Sequence, residues 1–324
     1  SISDFFYQIF MLQKKKSGFI GTLGFRKNKS LKRRNLTTLD SLTLNRDLNE
    51  MKRSGINNVI IEASSHGLKQ KRLDFLKIKG GIFTNLSHDH LDYHKDMKDY
   101  LRSKLLLFKD LLREKGTIIT DTDIKQYRVI KKIQRKRKLK IFTIGSKSNV
   151  FEVLNHKIFK NFQSLEVKYN KKIYKLRINL YGSIQIKDLL MAILASKVCG
   201  LKIENIFDKI EKIKSVEGRL QLIRTLPNQS KIFLDYAHTP DALKTSLSNL
   251  KEQFAGHKIN LLFGCGGDRD QNKRAKMGEI ADLFSDKIYL TDDNPRLEQP
   301  NKIRKDIKKG IKKQKVIEIP NRAK

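Results

Sequence analysis

Hydrophobic residues along the chain fall into two rhythms, one helical and one alternating. Phe5, Phe6, Ile9, Phe10 and Met11 share one face at helical spacing and predict a helix over residues 2–12. Residues 18–24 are an apolar run punctuated by glycine, read as a strand, and residues 27–35 are polar and basic, read as a loop. Thr37-Thr38-Leu39-Asp40-Ser41 then opens a helix through Met51, with Asp40 or Ser41 as its N-cap. Apolar runs at residues 58–61, 81–84, 117–120 and 140–144 predict buried strands of one sheet. After the second of these, Tyr100, Leu101, Lys104, Leu105, Phe108 and Leu112 recur at i, i+3, i+4 spacing, the mark of an amphipathic helix.

Between residues 150 and 180 the rhythm changes to period two. Residues 165–169 and 173–178 alternate around Asn170-Lys171-Lys172, which predicts an antiparallel hairpin. Helices follow at residues 187–199 and 203–212. Ser215-Val216-Glu217-Gly218-Arg219 marks a boundary, dividing the chain into residues 1–215 and 216–324. Beyond it strand, loop and helix alternate again. Strands at residues 232–234, 259–263 and 287–290 end in Asp235-Tyr236-Ala237-His238-Thr239-Pro240, Gly264-Cys265-Gly266-Gly267-Asp268-Arg269-Asp270 and Thr291-Asp292-Asp293-Asn294-Pro295-Arg296. In a parallel sheet such loops share one edge, the edge where open α/β folds bind ligands. The fold class is therefore α/β.

Candidate chemistry gathers at these strand ends. The stretch from Thr84 to His94 holds three of the seven histidines and two aspartates within seven residues. Taken alone it also reads as a capped helix start with a solvated acidic turn. Lys104 lies on the apolar stripe of the following helix, where a lysine is costly unless its head finds a partner. Upstream, the run to Ile61 ends in Glu62-Ala63-Ser64-Ser65-His66-Gly67. Glu62 and His90 could together serve one divalent ion, and oxygen and imidazole donors with retained waters suit magnesium or manganese.

Composition narrows the picture only in part. A chain of 324 residues with 39% hydrophobic content can bury packed cores in two domains. No apolar run reaches transmembrane length and no signal peptide is evident. The two cysteines, Cys199 and Cys265, stand far apart, which fits a reducing cytoplasm rather than a disulfide scaffold. The formal net charge of +35 admits a nucleic-acid-binding protein as an alternative class. The cations are spread along the whole chain, however. The densest run, from Lys131 to Lys138, carries no aromatic for base stacking and reads as a solvated helix face with weak attraction to polyanions.

Taken together, Thr37-Thr38-Leu39-Asp40-Ser41-Leu42, Glu62-Ala63-Ser64-Ser65-His66, Thr84 to His94, Gly218-Arg219, Asp235 to Ala242, Phe263 to Asp270 and Asp293 to Arg296 resemble the Mur ligase family. Within it they are most similar to the branch that adds diaminopimelate. The resemblance implies a central ATP-binding domain, mostly parallel sheet with helices plus an antiparallel hairpin region, over residues 1–215. A Rossmann-like, amino-acid-binding domain over residues 216–324 would follow. It implies a monomeric cytoplasmic enzyme that uses ATP and Mg2+ to join meso-diaminopimelate to UDP-N-acetylmuramoyl-L-alanyl-D-glutamate through an acyl phosphate, with no specific nucleic acid and no membrane insertion.

By resemblance, Glu62 and His90 bind magnesium, and a carbamylated Lys104 joins them. Thr37, Thr38, Ser64, Gln70 and Arg72 would hold the nucleotide-linked substrate. Asn85, Arg219, Asp235 and His238 would face ATP, and Arg269, Asp293, Asn294, Pro295 and Arg296 the incoming amino acid. Two departures stand out: Gln185 and Asp188 replace asparagines of the family pattern, and His88 stands where arginine is common. The family also places a phosphate loop before the opening helix, and no such loop occurs in this chain. The expectation is a fragment truncated at both ends and inactive by itself. Lysine-adding, folylpolyglutamate and cyanophycin-type ligases share the fold and the ATP chemistry. Asp293-Asn294-Pro295-Arg296 and Ser64-Ser65-His66 argue against the last two.

Overall fold

The structure, a computed structural model, describes residues 1–27, 30–87, 89–268, 270–313 and 316–322. The chain forms two compact units. One comprises Ser1–Leu86, Tyr93–Leu180 and Gln185–Val216, the other Ser87–Asp92, Tyr181–Ile184 and Glu217–Lys324.

The first unit runs α1 (Ile2–Leu12), β1 (Gly18–Gly21), β2 (Gly24–Lys27), β3 (Ser30–Lys32), α2 (Ser41–Arg53), β4 (Val59–Ile61), α3 (Ser65–Lys69), β5 (Ile78–Phe83) and α4 (Met97–Leu106). It continues with β6 (Leu112–Asp121), α5 (Tyr127–Lys136), β7 (Lys140–Ile144), β8 (Glu152–Ile158), β9 (Gln163–Tyr169), β10 (Lys172–Ile178), α6 (Ser183–Val198) and α7 (Ile203–Phe207). Where the sequence predicts one sheet there are two. β1 pairs in parallel with β4 in the order β3-β2-β1-β4, while β5, β6 and β7 form a separate parallel sheet. The predicted strand over residues 18–24 is a hairpin instead. Its turn at Thr22-Leu23 is followed by Gly24 at φ +111°, a backbone state that only glycine adopts at little cost.

The predicted hairpin is present as β9 and β10, in full register from Tyr169 opposite Lys172 to Gln163 opposite Ile178. A third strand, β8, pairs on its far side. Most of its residues are exposed, so it carries no apolar alternation to read. The helix expected to reach Leu112 loosens at Leu107–Leu111 into a π-turn, and Leu112 already begins β6. Asp40 caps α2 by accepting from Thr43 N at 2.9 Å. Two cores result. Phe5, Phe6, Ile9 and Phe10 of α1 pack with Val167, Ile178, Leu189 and Ile193. Leu44, Met51, Leu68, Phe83, Phe108, Ile118 and Ile130 form the second. Each such burial contributes roughly 1.5–3 kcal/mol.

The second unit runs β11 (Gln221–Thr225), β12 (Lys231–Leu234), α8 (Pro240–Gln253), β13 (Asn260–Phe263), α9 (Asn272–Phe284), β14 (Lys287–Leu290), α10 (Pro300–Lys308) and β15 (Val316–Glu318). β13, β14 and β15 form a parallel sheet. β12 does not join it. It folds back on β11 as an antiparallel ribbon and leaves Ile232 and Leu234 about half exposed. The loop after β12 therefore does not share the parallel sheet edge with the loops after β13 and β14, contrary to the sequence expectation. Phe263, Ile288 and Leu290 pack under Leu247, Met277, Ala281, Ile303 and Ile307.

Candidate active site

In the first unit the β1–β2 turn meets the end of β4. The Thr22 amide donates to Glu62 Oε2 at 2.8 Å and the Thr22 hydroxyl to the same oxygen at 3.0 Å. Gly21 makes this possible, because a Cβ there would stand 2.6 Å from Glu62 Oε2. Thr37 Oγ1 lies 3.1 Å from Thr22 Oγ1. Thr38 is buried at 1% exposure. Its hydroxyl donates to the Glu62 carbonyl at 2.7 Å and accepts from the Ser64 amide at 2.8 Å. Ser64 caps α3 through Gly67 N at 3.1 Å. Arg72 donates to the Thr38 carbonyl at 2.7 Å and to Gln70 Oε1 at 2.5 Å, and Gln70 donates to the Tyr93 hydroxyl at 3.1 Å. Thr37, Thr38, Glu62, Ser64, Gln70 and Arg72 thus belong to one connected network.

Lys104 is half-buried on α4. Its ammonium lies 5.1 Å from the centre of the Tyr100 ring and 5.9 Å from that of Phe83, so aromatic faces meet the lysine that the apolar stripe carries inward. Asn85 is exposed just past β5 and accepts from Thr84 Oγ1 at 3.3 Å.

Sequence reasoning missed a buried relay beside this network. His94, 1% exposed, has Nε2 2.8 Å from Ser65 Oγ and Nδ1 3.4 Å from Asp99 Oδ2. Lys69 donates to the same aspartate oxygen at 2.6 Å. That ammonium, with the Lys95 amide and His94, holds the Asp99 carboxyl below its usual range. His94 stacks on Tyr100 at 5.0 Å, and His66 stacks on Tyr93 at 3.9 Å. The relay ties α3 to α4. The only hint in the sequence is a histidine just before a helix start.

In the second unit Asp89 accepts from the His90 amide at 2.8 Å, and His90 sits at φ +57°. Asp89 Oδ2 lies 3.7 Å from His90 Nε2 and 4.0 Å from His238 Nε2. Asp235 organises its own loop, accepting from the Leu220 amide at 2.8 Å and from the Ala237 amide and Ser246 hydroxyl, each at 2.9 Å. The Arg219 guanidinium lies 5.1 Å from the centre of the Tyr236 ring, and His238 meets the same ring edge-on. Tyr236, 58% exposed, is a flat aromatic surface that sequence reasoning did not single out.

The loops after β13 and β14 interlock. Gly267 N donates to the Asn294 carbonyl at 2.9 Å, and Arg296 Nη1 returns a bond to the Gly267 carbonyl at 2.6 Å. A Cβ on Gly267 would stand 1.9 Å from the Pro295 carbonyl oxygen. Asp293 is exposed, 3.7 Å from Arg322. Beneath lies Arg274, fully buried, 2.8 Å from Glu298 and 3.2 Å from Asp306. Glu298 also accepts from the Asp268 amide at 2.6 Å. Arg274 first and that amide next hold the Glu298 carboxyl below its ordinary value. Arg269 and His88 lie outside the described residues.

Among the described residues no three His, Cys, Asp or Glu side chains gather as a metal cluster. Magnesium does not require one, since it keeps several waters and binds through one or two carboxylates plus substrate phosphates. The exposed Glu62 carboxylate is a donor of that kind.

The Mur ligase middle-domain model matches residues 1–196, and the model of the Mur ligase glutamate ligase domain matches residues 218–324. The chain belongs to the Mur ligase family. The fold class expected from the sequence agrees with that membership. Among similar Mur ligases, the UDP-N-acetylmuramoyl-L-alanyl-D-glutamate--2,6-diaminopimelate ligase of Rickettsia prowazekii (strain Madrid E) is 38% identical over 328 residues, covering 100% of this chain and 67% of the relative. The protein of the same name from Zymomonas mobilis is 36% identical, with 96% and 64% covered. The chain thus spans about two thirds of the length of these relatives. A solved structure under the same ligase name superposes with a TM-score of 0.71 at 30% identity, covering 99% of this chain and 66% of that one. A Mycobacterium tuberculosis folylpolyglutamate synthase, solved with ADP and AMPPCP, superposes with a TM-score of 0.73 at 14% identity, which shows the shared fold alone. Among the described residues no helix is long and apolar enough to cross a membrane.

Proposed function

We propose that this chain forms the central and C-terminal parts of an ATP-dependent ligase that joins meso-diaminopimelate to UDP-N-acetylmuramoyl-L-alanyl-D-glutamate. The D-glutamate carboxylate attacks the γ-phosphate of ATP, releasing ADP and leaving an acyl phosphate. The amine of diaminopimelate then attacks the acyl carbon, phosphate departs, and the amine loses a proton as the amide forms. Such chemistry asks a protein mainly to position groups and neutralise charge.

Residues 1–215 carry the nucleotide and dipeptide side in this reading, and residues 216–324 the amino-acid side. Thr37, Thr38, Ser64, Gln70 and Arg72 position the nucleotide-linked dipeptide. Asn85, Arg219, Asp235 and His238 face ATP. Asp293, Asn294, Pro295, Arg296 and Arg269 receive diaminopimelate. Glu62, His90 and a carbamylated Lys104 would hold magnesium, which when bound supplies positive charge at the phosphates. The same assignment makes the enzyme cytoplasmic and monomeric.

The observation that carries the reading is the connected network of Thr37, Thr38, Glu62, Ser64, Gln70 and Arg72. It joins Thr37 and Thr38 of one motif, Ser64 of a second and Gln70 and Arg72 just past α3, and ties these residues assigned to one substrate to Glu62, the candidate metal ligand. Calorimetric titration of UDP-N-acetylmuramoyl-L-alanyl-D-glutamate tests it. Binding should be lost on Arg72→Ala with the melting curve retained. Equal binding by the variant would refute the assignment.

A further inference from the structure

α5 carries a run of cations with no acidic residue among them. No aspartate or glutamate occurs between Asp123 and Glu152. Arg128, Lys131, Lys132, Arg135, Lys136 and, just beyond the helix, Lys138 are all exposed. None of the six forms an ion pair with a carboxylate among the described residues. On α10 and at its end, by contrast, part of the charge is matched. Arg304 pairs with Asp292 and Glu318, Lys308 with Glu318 and Lys309 with Asp306.

Nothing in the folding of α5 calls for this. Its inward face supplies Ile130 and Ile133 to the core, and Arg137, the seventh cation, is used internally on the carbonyls of Phe108 and Leu112 at 2.8 and 2.9 Å. Arg128–Lys132, Lys131–Arg135 and Lys132–Lys136 are like charges four residues apart, an arrangement that weakens a helix. The helix dipole excuses cations in the last turn but not Arg128 in the first, where no acidic residue offsets it.

We infer that the outward face of α5 is a docking surface for a layer of anionic lipid headgroups. A helix of ten residues lays its cations along about 15 Å, a span that a plane of headgroups can match at every position. The apolar face is committed to the core, so attachment is electrostatic and reversible, without insertion. Beyond the cations the outward face offers no amide or aromatic for base recognition: Gln134 is turned onto the Leu139 carbonyl at 2.7 Å, and Tyr127 lies beneath Lys131 at 5.8 Å.

The test is vesicle co-sedimentation of the chain at low salt, with phosphatidylcholine vesicles either neutral or containing phosphatidylglycerol. Two variants remove the same four charges. One is Lys131→Gln, Lys132→Gln, Arg135→Gln and Lys136→Gln; the other is Lys157→Gln, Lys160→Gln, Lys168→Gln and Lys172→Gln, on exposed strand and loop positions. The wild-type chain should bind only the anionic vesicles and release them as salt is raised. At about fivefold per cation, the α5 variant should lose roughly 10²–10³-fold in partitioning. The control should lose at most about tenfold. Equal losses would assign the binding to diffuse net charge and overturn the proposal, as would wild-type binding to neutral vesicles or none to anionic ones. Tighter, α5-dependent binding to duplex DNA than to the anionic vesicles would overturn the choice of partner.

Discussion

Arg296 stands at φ +50°, an uncommon backbone state for a side chain of its size, and its guanidinium is steadied by the Gly267 carbonyl. A residue kept in such a state beside an interlocked loop is one whose direction matters. Diaminopimelate differs from lysine by one distal carboxylate, which a guanidinium can take in a charge-assisted pair. In the complete gene product, Arg296→Ala should reduce kcat/KM for diaminopimelate by up to about 10⁴-fold while narrowing its preference over lysine. An unchanged ratio of the two constants would remove Arg296 from that role. Thr38 gives a second prediction. Thr38→Val leaves the Ser64 amide and the Glu62 carbonyl without their buried partner. It should lower stability by about 1–3 kcal/mol in urea denaturation, with unaltered stability as the contrary result. Thr38 was legible in the sequence because its motif is contiguous. Arg274 was not: a single arginine in a helix with other cations reads as surface, and only the opposing Glu298 and Asp306 reveal it as buried.

At the scale of elements, the relay through Ser65, His94 and Asp99 predicts coupling between α3 and α4. His94→Ala should lower the melting temperature and also loosen Gln70, which ends α3 and donates to Tyr93, and with it Arg72, which donates to Gln70. Hydrogen exchange over residues 64–72 checks this, and unchanged protection there would mean the relay is only local packing. The Arg274 cluster makes α9, α10 and the loop between β14 and α10 sensitive to acid. Glu298 and Asp306 have folded values below their ordinary ones, so both bind protons more readily when unfolded. Their stabilisation is fully present above the unfolded values, roughly pH 4, and is lost as pH falls through the folded ones. Melting curves should therefore show a steeper loss below about pH 4 in the wild type than in Arg274→Met. Parallel profiles would contradict the cluster's role. The strands and helices of strong periodicity were legible. The turn at Thr22, the strand β8 and the antiparallel pairing of β12 were not. A reversal of direction depends on a single glycine or a facing strand, and an exposed strand carries no hydrophobic rhythm.

Across the whole chain, the positive charge plays no single part. At Arg304 and Lys308 of α10 it is matched by carboxylates and supports the fold, on Arg296 it faces a loop assigned to substrate, and on α5 it is left facing solvent. Net charge alone suggested a class of polyanion binder, and only the placement of the acids separates these uses. The change of rhythm near Ser215 suggested a boundary there. The assignment of Ser87–Asp92 to the second unit was not visible, because that segment lies within a sequence that otherwise builds the first. His90 accordingly belongs to the second unit, whereas Glu62 and Lys104 belong to the first.

The most direct test of the central claim is phosphate release by the complete gene product, supplied with ATP, magnesium and UDP-N-acetylmuramoyl-L-alanyl-D-glutamate and titrated with meso-diaminopimelate or lysine. The account predicts release that requires the dipeptide substrate, rises with diaminopimelate, is accompanied by the tripeptide product, and is at least tenfold weaker in kcat/KM with lysine, about 1.4 kcal/mol in transition-state terms. Release that ignores the amino acid, or lysine serving as well as diaminopimelate, would contradict it.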